Sequence, residues 1–133
     1  MTSPTANILV TSDKKYMTDG CVFCKIVKKE IPTEFLFEDD LVVAFRDIHP
    51  IAPAHILIIP KRHIASVADI SEKDEKLMGR MVLAAKKIAE DLKISRGGYK
   101  LLFRVGEHGG QEVEHIHLHL IGGARLKENI QPI

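Results

Sequence analysis

Between residues 71 and 92 apolar side chains return with the period of a helix. Leu77, Met78, Met81, Val82, Ala85, Ile88, Ala89 and Leu92 form one stripe, the pattern of a long amphipathic helix packed on a core. Ser71 is placed to cap its start, and Glu72, Asp74 and Glu75 follow it, where acidic groups favour the first turn. Residues 23–29 read as a second, short helix, stopped before Pro32.

The remaining apolar runs have strand character. Residues 34–37 and 41–46 flank the turn-prone Glu38-Asp39-Asp40, and residues 55–59 (HILII) form a β-branched run closed by Pro60. Two prolines between Asp47 and Ala54 require a loop. After Gly97-Gly98, residues 99–105 and 114–121 predict two further strands around a glycine-rich turn. Short helix, strands, long helix, strands is the order of an α+β fold: an antiparallel sheet of about five strands with a helix on one face. Residues 1–19 carry no usable period, and a second Met stands at 17; the reading is a flexible extension ahead of a single domain over 20–133.

Composition narrows the function classes. With 133 residues, 19 basic against 18 acidic side chains and a net charge of +1, the chain lacks the clustered positive charge that nucleic-acid binding demands. No apolar run approaches the ~18 residues of a membrane span, and Ile8-Leu9-Val10 is too short for a signal-peptide core. The two cysteines, Cys21 and Cys24, are three apart; that spacing suits metal ligands or bystander thiols in a reducing cytoplasm.

Seven histidines occur, four of them between His108 and His119. Alternation along a strand sets His115, His117 and His119 on one face and Ile116, Leu118 and Leu120 on the other. Imidazoles spaced about 7 Å apart form a row, each with a donor and an acceptor to satisfy. Such a row serves either a metal or nucleophilic catalysis. Gly106, Gly109 and Gly110 precede it, and a glycine turn can aim backbone N–H groups at an anion. Chemistry at phosphorus follows, governed by positioning and by stabilisation of the equatorial oxygens. No GxxxxGK[ST] segment is present, which excludes a P-loop nucleotidase.

His115-Ile116-His117-Leu118-His119-Leu120-Ile121 resembles the His-φ-His-φ-His-φ-φ signature of the histidine triad (HIT) superfamily, and Gly122-Gly123 after it is more similar to the Hint branch than to the Fhit branch. The run from Asp47 to Lys61 and the segment Phe23-Cys24-Lys25-Ile26 extend the resemblance. It implies a HIT-like fold and a homodimer formed through a sheet edge (residues 99–105) and the long helix. His117 would be the nucleophile that forms a nucleotidyl-histidine, with His119, His55 and His115 completing the catalytic set. Gln111 and the backbone of Gly110 would lie near the phosphate, Glu112 near the leaving group, Val113 in the nucleotide-binding set, Asp47 would accept the ribose hydroxyls, and Val22, Phe23, Ile26, Phe45 and Ile48 would hold a purine.

The implied activity is hydrolysis of purine nucleoside 5′-phosphoramidates to AMP or GMP in the cytoplasm, without an organic cofactor. Its rivals are a Fhit-like dinucleoside polyphosphate hydrolase, a nucleotide-binding module with weak catalysis, and a metal-dependent hydrolase. In zinc-bearing members a Cys pair joins two histidines, here Cys21, Cys24, His63 and His115, in a structural site. Arg104 stands where many relatives have Asn, Glu112 where some have Ser or Thr, and His49 where Ser is frequent. These departures bear on leaving-group preference.

Overall fold

The structure, a computed structural model, describes residues 20–133, and the expected extension over 1–19 lies outside them. Helix α1 (Val22–Val27) is capped by the Cys21 sulfur, which accepts from the Cys24 N–H. Lys29, at φ 65°, turns the chain out of it. Strands β1 (Phe37–Glu38), β2 (Val42–Arg46) and β3 (Ala54–Pro60) follow, then helix α2 (Glu75–Asp91), β4 (Tyr99–Phe103) and β5 (Leu118–Gly122). All neighbours in the order β1-β2-β3-β5-β4 pair antiparallel.

The sheet is covered on both faces. Val42, Ala44, Ile56, Ile58, Leu118 and Leu120 face Leu77, Met81, Ala85 and Ile88 of α2. Val43, Phe45, Leu57 and Ile59 face Phe23, Cys24 and Ile26 of α1. This two-sided burial explains the uninterrupted apolar run at 55–59, since a central strand with both faces covered has no reason to alternate.

The helix start at Ser71 is a capping box. Its hydroxyl accepts from the Lys73 N–H while Asp74 accepts from the Ser71 N–H. The first turn, Glu72–Asp74, is 3₁₀, and the α-helix proper begins at Glu75. Buried Asp74 is held by Arg62. Ala84 is buried where Val82, expected in the stripe, is 46% exposed. The stripe is therefore narrower than the apolar residues of this helix suggest, because only one side of α2 meets the sheet.

Four strands are shorter than their sequence patterns. Residues 34–36 stay outside β1, Leu41 outside β2, residues 104–105 lie beyond β4, and β5 begins only at Leu118. Ahead of β5 the chain bends through Val113–His115, and its Ile116 N–H bonds to the Ile64 carbonyl at 2.6 Å instead of a sheet neighbour. The expected alternation nonetheless survives: Ile116 packs in the α2-side core, while His115 and His117 turn to Phe23 of α1.

Candidate active site

The register of β3 and β5 assembles the histidines. Leu57 stands opposite His119 and His55 opposite Ile121, so His55 and His119 become diagonal neighbours on the α1 face. Their rings meet through His55 Nε2 and His119 Nδ1, 2.9 Å apart. His117 stands alongside, its ring centroid 4.9 Å from that of His119. Asp47, just past β2, brings Oδ2 to 3.4 Å from His55 Nε2, and its Oδ1 accepts the His49 N–H.

Hydrogen bonding to the backbone fixes which nitrogen of each ring carries a proton. The His115 carbonyl can only accept, so His117 donates to it from Nδ1 at 2.7 Å, and the ring's lone pair is left on Nε2. The Ile51 N–H can only donate, so it bonds to the lone pair of His55 Nδ1 at 3.2 Å. His55 then donates from Nε2 to His119 Nδ1, which places the His119 proton on Nε2. That nitrogen is buried and, among the described residues, has no hydrogen-bond partner. The chain of bonds thus ends in one unsatisfied donor, beside a ring that presents a nucleophilic lone pair.

Burial, first of all, lowers the pKa of all three rings. For His119 the fall reaches about 4, with repulsion from His117 and His55 adding to it. Asp47 opposes the fall and Arg104 reinforces it in each case. The rings are neutral at pH 7.

The glycine loop lies against the Arg104 side chain. Gly110 has φ +81°, a conformation that favours glycine, and a β-carbon on Gly109 would sit 2.4 Å from the Val105 carbonyl oxygen. Gln111 ties the loop down: its amide donates to the carbonyls of Ala65 and Val113 at 2.7 and 2.9 Å and accepts from the Gly106 N–H at 3.0 Å. Outside the loop a cleft of about 280 Å³ is lined by Glu107, Gln111, Glu112 and Glu114 together with Gly106 and Gly110.

The apolar candidates divide into two groups. Phe23 packs edge-on against Phe45 and His117, centroids 5.6 and 5.2 Å away, and Ile26 is buried with them, with Val113 against the same cluster. Val22 and Ile48 are exposed, which leaves their apolar surface open to a ligand.

A second cluster lies directly beside the first. Cys21, Cys24, His63 and His115 bring their ligand atoms within 4.8 Å of one another. His115 donates from Nε2 to the Pro60 carbonyl at 2.9 Å, so its Nδ1 lone pair points inward, 3.3 Å from Cys21 Sγ and 3.2 Å from His63 Nδ1. Cys24 Sγ lies 3.3 Å from His63 Nδ1 and 3.6 Å from His115 Nδ1. Tetrahedral zinc with such ligands has edges of about 3.3–3.8 Å. The four residues therefore fit a metal ion in spacing and in donor chemistry. The Cys21 thiol is pulled down to about 2, chiefly by its hydrogen bond with Cys24 against the cost of burial, with His115 and His63 adding to the fall.

Comparison with known proteins agrees with this arrangement. The HIT domain family matches residues 28–126. The chain belongs to the HIT family. Among HIT relatives, the purine nucleoside phosphoramidase of Escherichia coli K12 is 51% identical over 110 residues, 83% of this chain and 92% of the relative. A HIT family hydrolase from Legionella pneumophila Philadelphia 1 superposes with a TM-score of 0.82 at 48% identity, covering 84% of this chain and 100% of the other. A histidine triad nucleotide-binding protein from Candida albicans gives 0.71 at 33% identity, covering 86% of each chain. The kinship makes this chain a hydrolase of the histidine triad type.

Sequence reasoning named every side chain of both clusters. It missed the backbone partners that set the tautomers: the Ile51 N–H and the carbonyls of His115 and Pro60. Backbone groups have no signature in a sequence, although two prolines flanking Ile51 mark its loop as constrained.

Proposed function

We propose that the chain hydrolyses purine nucleoside 5′-phosphoramidates by covalent catalysis through His117. The carrying observation is the lone pair on His117 Nε2, fixed by the Nδ1–H bond to the His115 carbonyl, beside the unsatisfied donor of His119. His117 Nε2 attacks the α-phosphorus. The P–N bond to the amine breaks, its electron pair leaves on nitrogen, and that nitrogen takes a proton from water. A water molecule then cleaves the phosphoryl-imidazole, yielding the nucleoside monophosphate, neutral His117 and one proton to solvent. His119 Nε2–H donates to a non-bridging oxygen, where charge grows in the transition state. Asp47 accepts the ribose hydroxyls, the open surface of Val22 and Ile48 with Phe23, Ile26 and Phe45 takes the purine, and the glycine loop, with Val113 and Glu112, borders the phosphate.

Zinc suits the four-residue cluster as a structural ion: with four protein ligands no position stays open for substrate. His115 would hold it through Nδ1, and Pro60 would orient that ring from the other side. The domain spans 20–133, and a cytoplasmic homodimer is consistent with the free edge of β4, where Leu101 is exposed, and with exposed Val82 and Leu83 on α2. Among the described residues no helix is long and apolar enough to cross a membrane.

The test is hydrolysis of adenosine 5′-phosphoramidate by the wild type, run beside a dinucleoside polyphosphate and after brief chelation. Turnover of the phosphoramidate that survives chelation supports the proposal. Preference for the polyphosphate, instant loss on chelation, or AMP binding without turnover would each replace it with a rival.

A further inference from the structure

Arg104 lies next to the histidines for a topological reason. Across the β4–β5 ladder Leu102 faces His119 and Phe103 faces Leu118. Arg104 follows the last residue of β4 and His117 precedes the first of β5; because Phe103 packs on the α2 side, alternation turns the Arg104 side chain to the histidine side. Its Cδ lies 3.7 Å from the position a β-carbon on Gly110 would take, so the aliphatic stem crosses the glycine loop. Among the described residues no ion pair engages its guanidinium, yet its charge reaches His55, His117 and His119 alike.

An anionic phosphoryl group entering this site meets neutral imidazoles and the carboxylate of Asp47. Neutral donors alone hold a phosphate weakly, and a nearby carboxylate repels it. A planar guanidinium matches two phosphate oxygens at once. We propose that Arg104 is the charge-reading residue of the site, its guanidinium holding the non-bridging oxygens of the α-phosphoryl group in the ground state and more tightly as negative charge builds on them. The same cation disfavours protonation of His55 and His119. The proposal rests on the phosphoryl-transfer reading above and concerns a residue that the cluster of histidines does not include.

The experiment compares wild type, Arg104→Gln and Arg104→Lys. Calorimetry measures binding of AMP and of adenosine, which differ only in the phosphate, and steady-state kinetics measures hydrolysis of adenosine 5′-phosphoramidate. Arg104→Gln is expected to weaken AMP at least tenfold and leave adenosine within twofold, with kcat/KM falling further than AMP affinity. Arg104→Lys is expected to recover AMP binding in part. The titrations of His55 and His119 followed by NMR should move upward in Arg104→Gln, which a merely structural role would not produce. Equal losses for AMP and adenosine, or no loss for either, would overturn the proposal, as would a wild type that does not favour AMP over adenosine. A wild type that favours AMP but leaves the phosphoramidate intact would sink the assigned reaction alone, and the AMP–adenosine comparison would still decide the role of Arg104.

Discussion

His55 donates to His119 across the central pair of strands, Nε2 to Nδ1 at 2.9 Å, and the direction of that bond is set by a backbone amide at Ile51. A neutral imidazole has two interchangeable tautomers, and which one is present follows from the partner of either nitrogen. Here the partner is a peptide group that cannot rotate, so the donor on His119 Nε2 is available before any ligand arrives. Preorganised donors of this kind need no rearrangement when charge develops.

Replacing His55 with Phe keeps the ring volume and removes the donor. His119 is then free to adopt the other tautomer and turn a lone pair toward the phosphate oxygen. We expect kcat to fall about 100-fold or more, with adenosine affinity unchanged. Parallel measurement of kcat and of adenosine binding checks this; equal loss in both would show that the ring only packs.

His117→Ala removes the attacking nitrogen while sparing His119, Arg104 and Asp47. Turnover of a phosphoramidate should fall on the order of 10⁴-fold or more, and AMP should still bind. Mass spectrometry of quenched wild-type reactions should reveal an adduct on His117 that is absent from the variant.

The lowered pKa values set a pH signature. A free imidazole titrates near 6.5, whereas burial holds His117, His55 and His119 below that. Acidifying from pH 8 should therefore lower kcat/KM with a midpoint below 6.5. Stability follows the same window. Between 6.5 and the His119 value of about 4, the unfolded chain binds a proton that the folded chain refuses, so stability declines as pH falls. That imidazole alone accounts for roughly 3 kcal/mol, complete once pH is below both values. Urea unfolding at pH 7, 5.5 and 4 reads the slope.

Removal of the proposed zinc should weaken the fold before it alters the chemistry. An ion held a thousandfold above its dissociation constant stabilises by about 4 kcal/mol, which corresponds to roughly 15 °C in a domain of this size. Cys24→Ser or prolonged chelation should lower Tm by an amount of that order, and elemental analysis should give one zinc per untreated chain. An unchanged Tm with no zinc found would mean that the cluster is a set of ordinary buried thiols and imidazoles.

What the sequence made legible has a physical boundary. Helix α2, the apolar run of β3 and the alternation from Ile116 to Leu120 are periodic, and periodicity survives in one dimension. The grouping of Cys21, Cys24, His63 and His115 was readable only through family resemblance, because their approach depends on how α1 packs on β3 and β5. Beyond reach were the bend at Val113–His115, after which the Ile116 N–H bonds to Ile64 outside the sheet, and the capping role of Cys21, whose residue type gives no hint of a helix start. Val82 misled because the helical stripe shows apolar spacing without the width of the sheet beneath it.

The glycine loop offers a steric test. A methyl group at Gly109 would overlap the Val105 carbonyl oxygen, and backbone cannot step aside as a flexible side chain would. Gly109→Ala should open the loop and undo the Gln111 bonds that tie it to Ala65 and Val113. We expect loss of AMP affinity and of turnover together, by tenfold or more, with Tm lowered by only a few degrees. Hydrogen exchange at Gly106 and Gly110 would report the opening directly.

His115 faces two ways. Its ring belongs to the sulfur-lined cluster, and its carbonyl oxygen accepts the hydrogen bond from His117 Nδ1–H. The second contact is made by the main chain, so no substitution at position 115 deletes it. Ring and carbonyl can be varied separately: His115→Cys would exchange one candidate metal ligand for another and still present the same carbonyl acceptor to His117. The position is thus tolerant in its side chain and intolerant in its backbone, and drift in the ligand set need not cost the catalytic geometry.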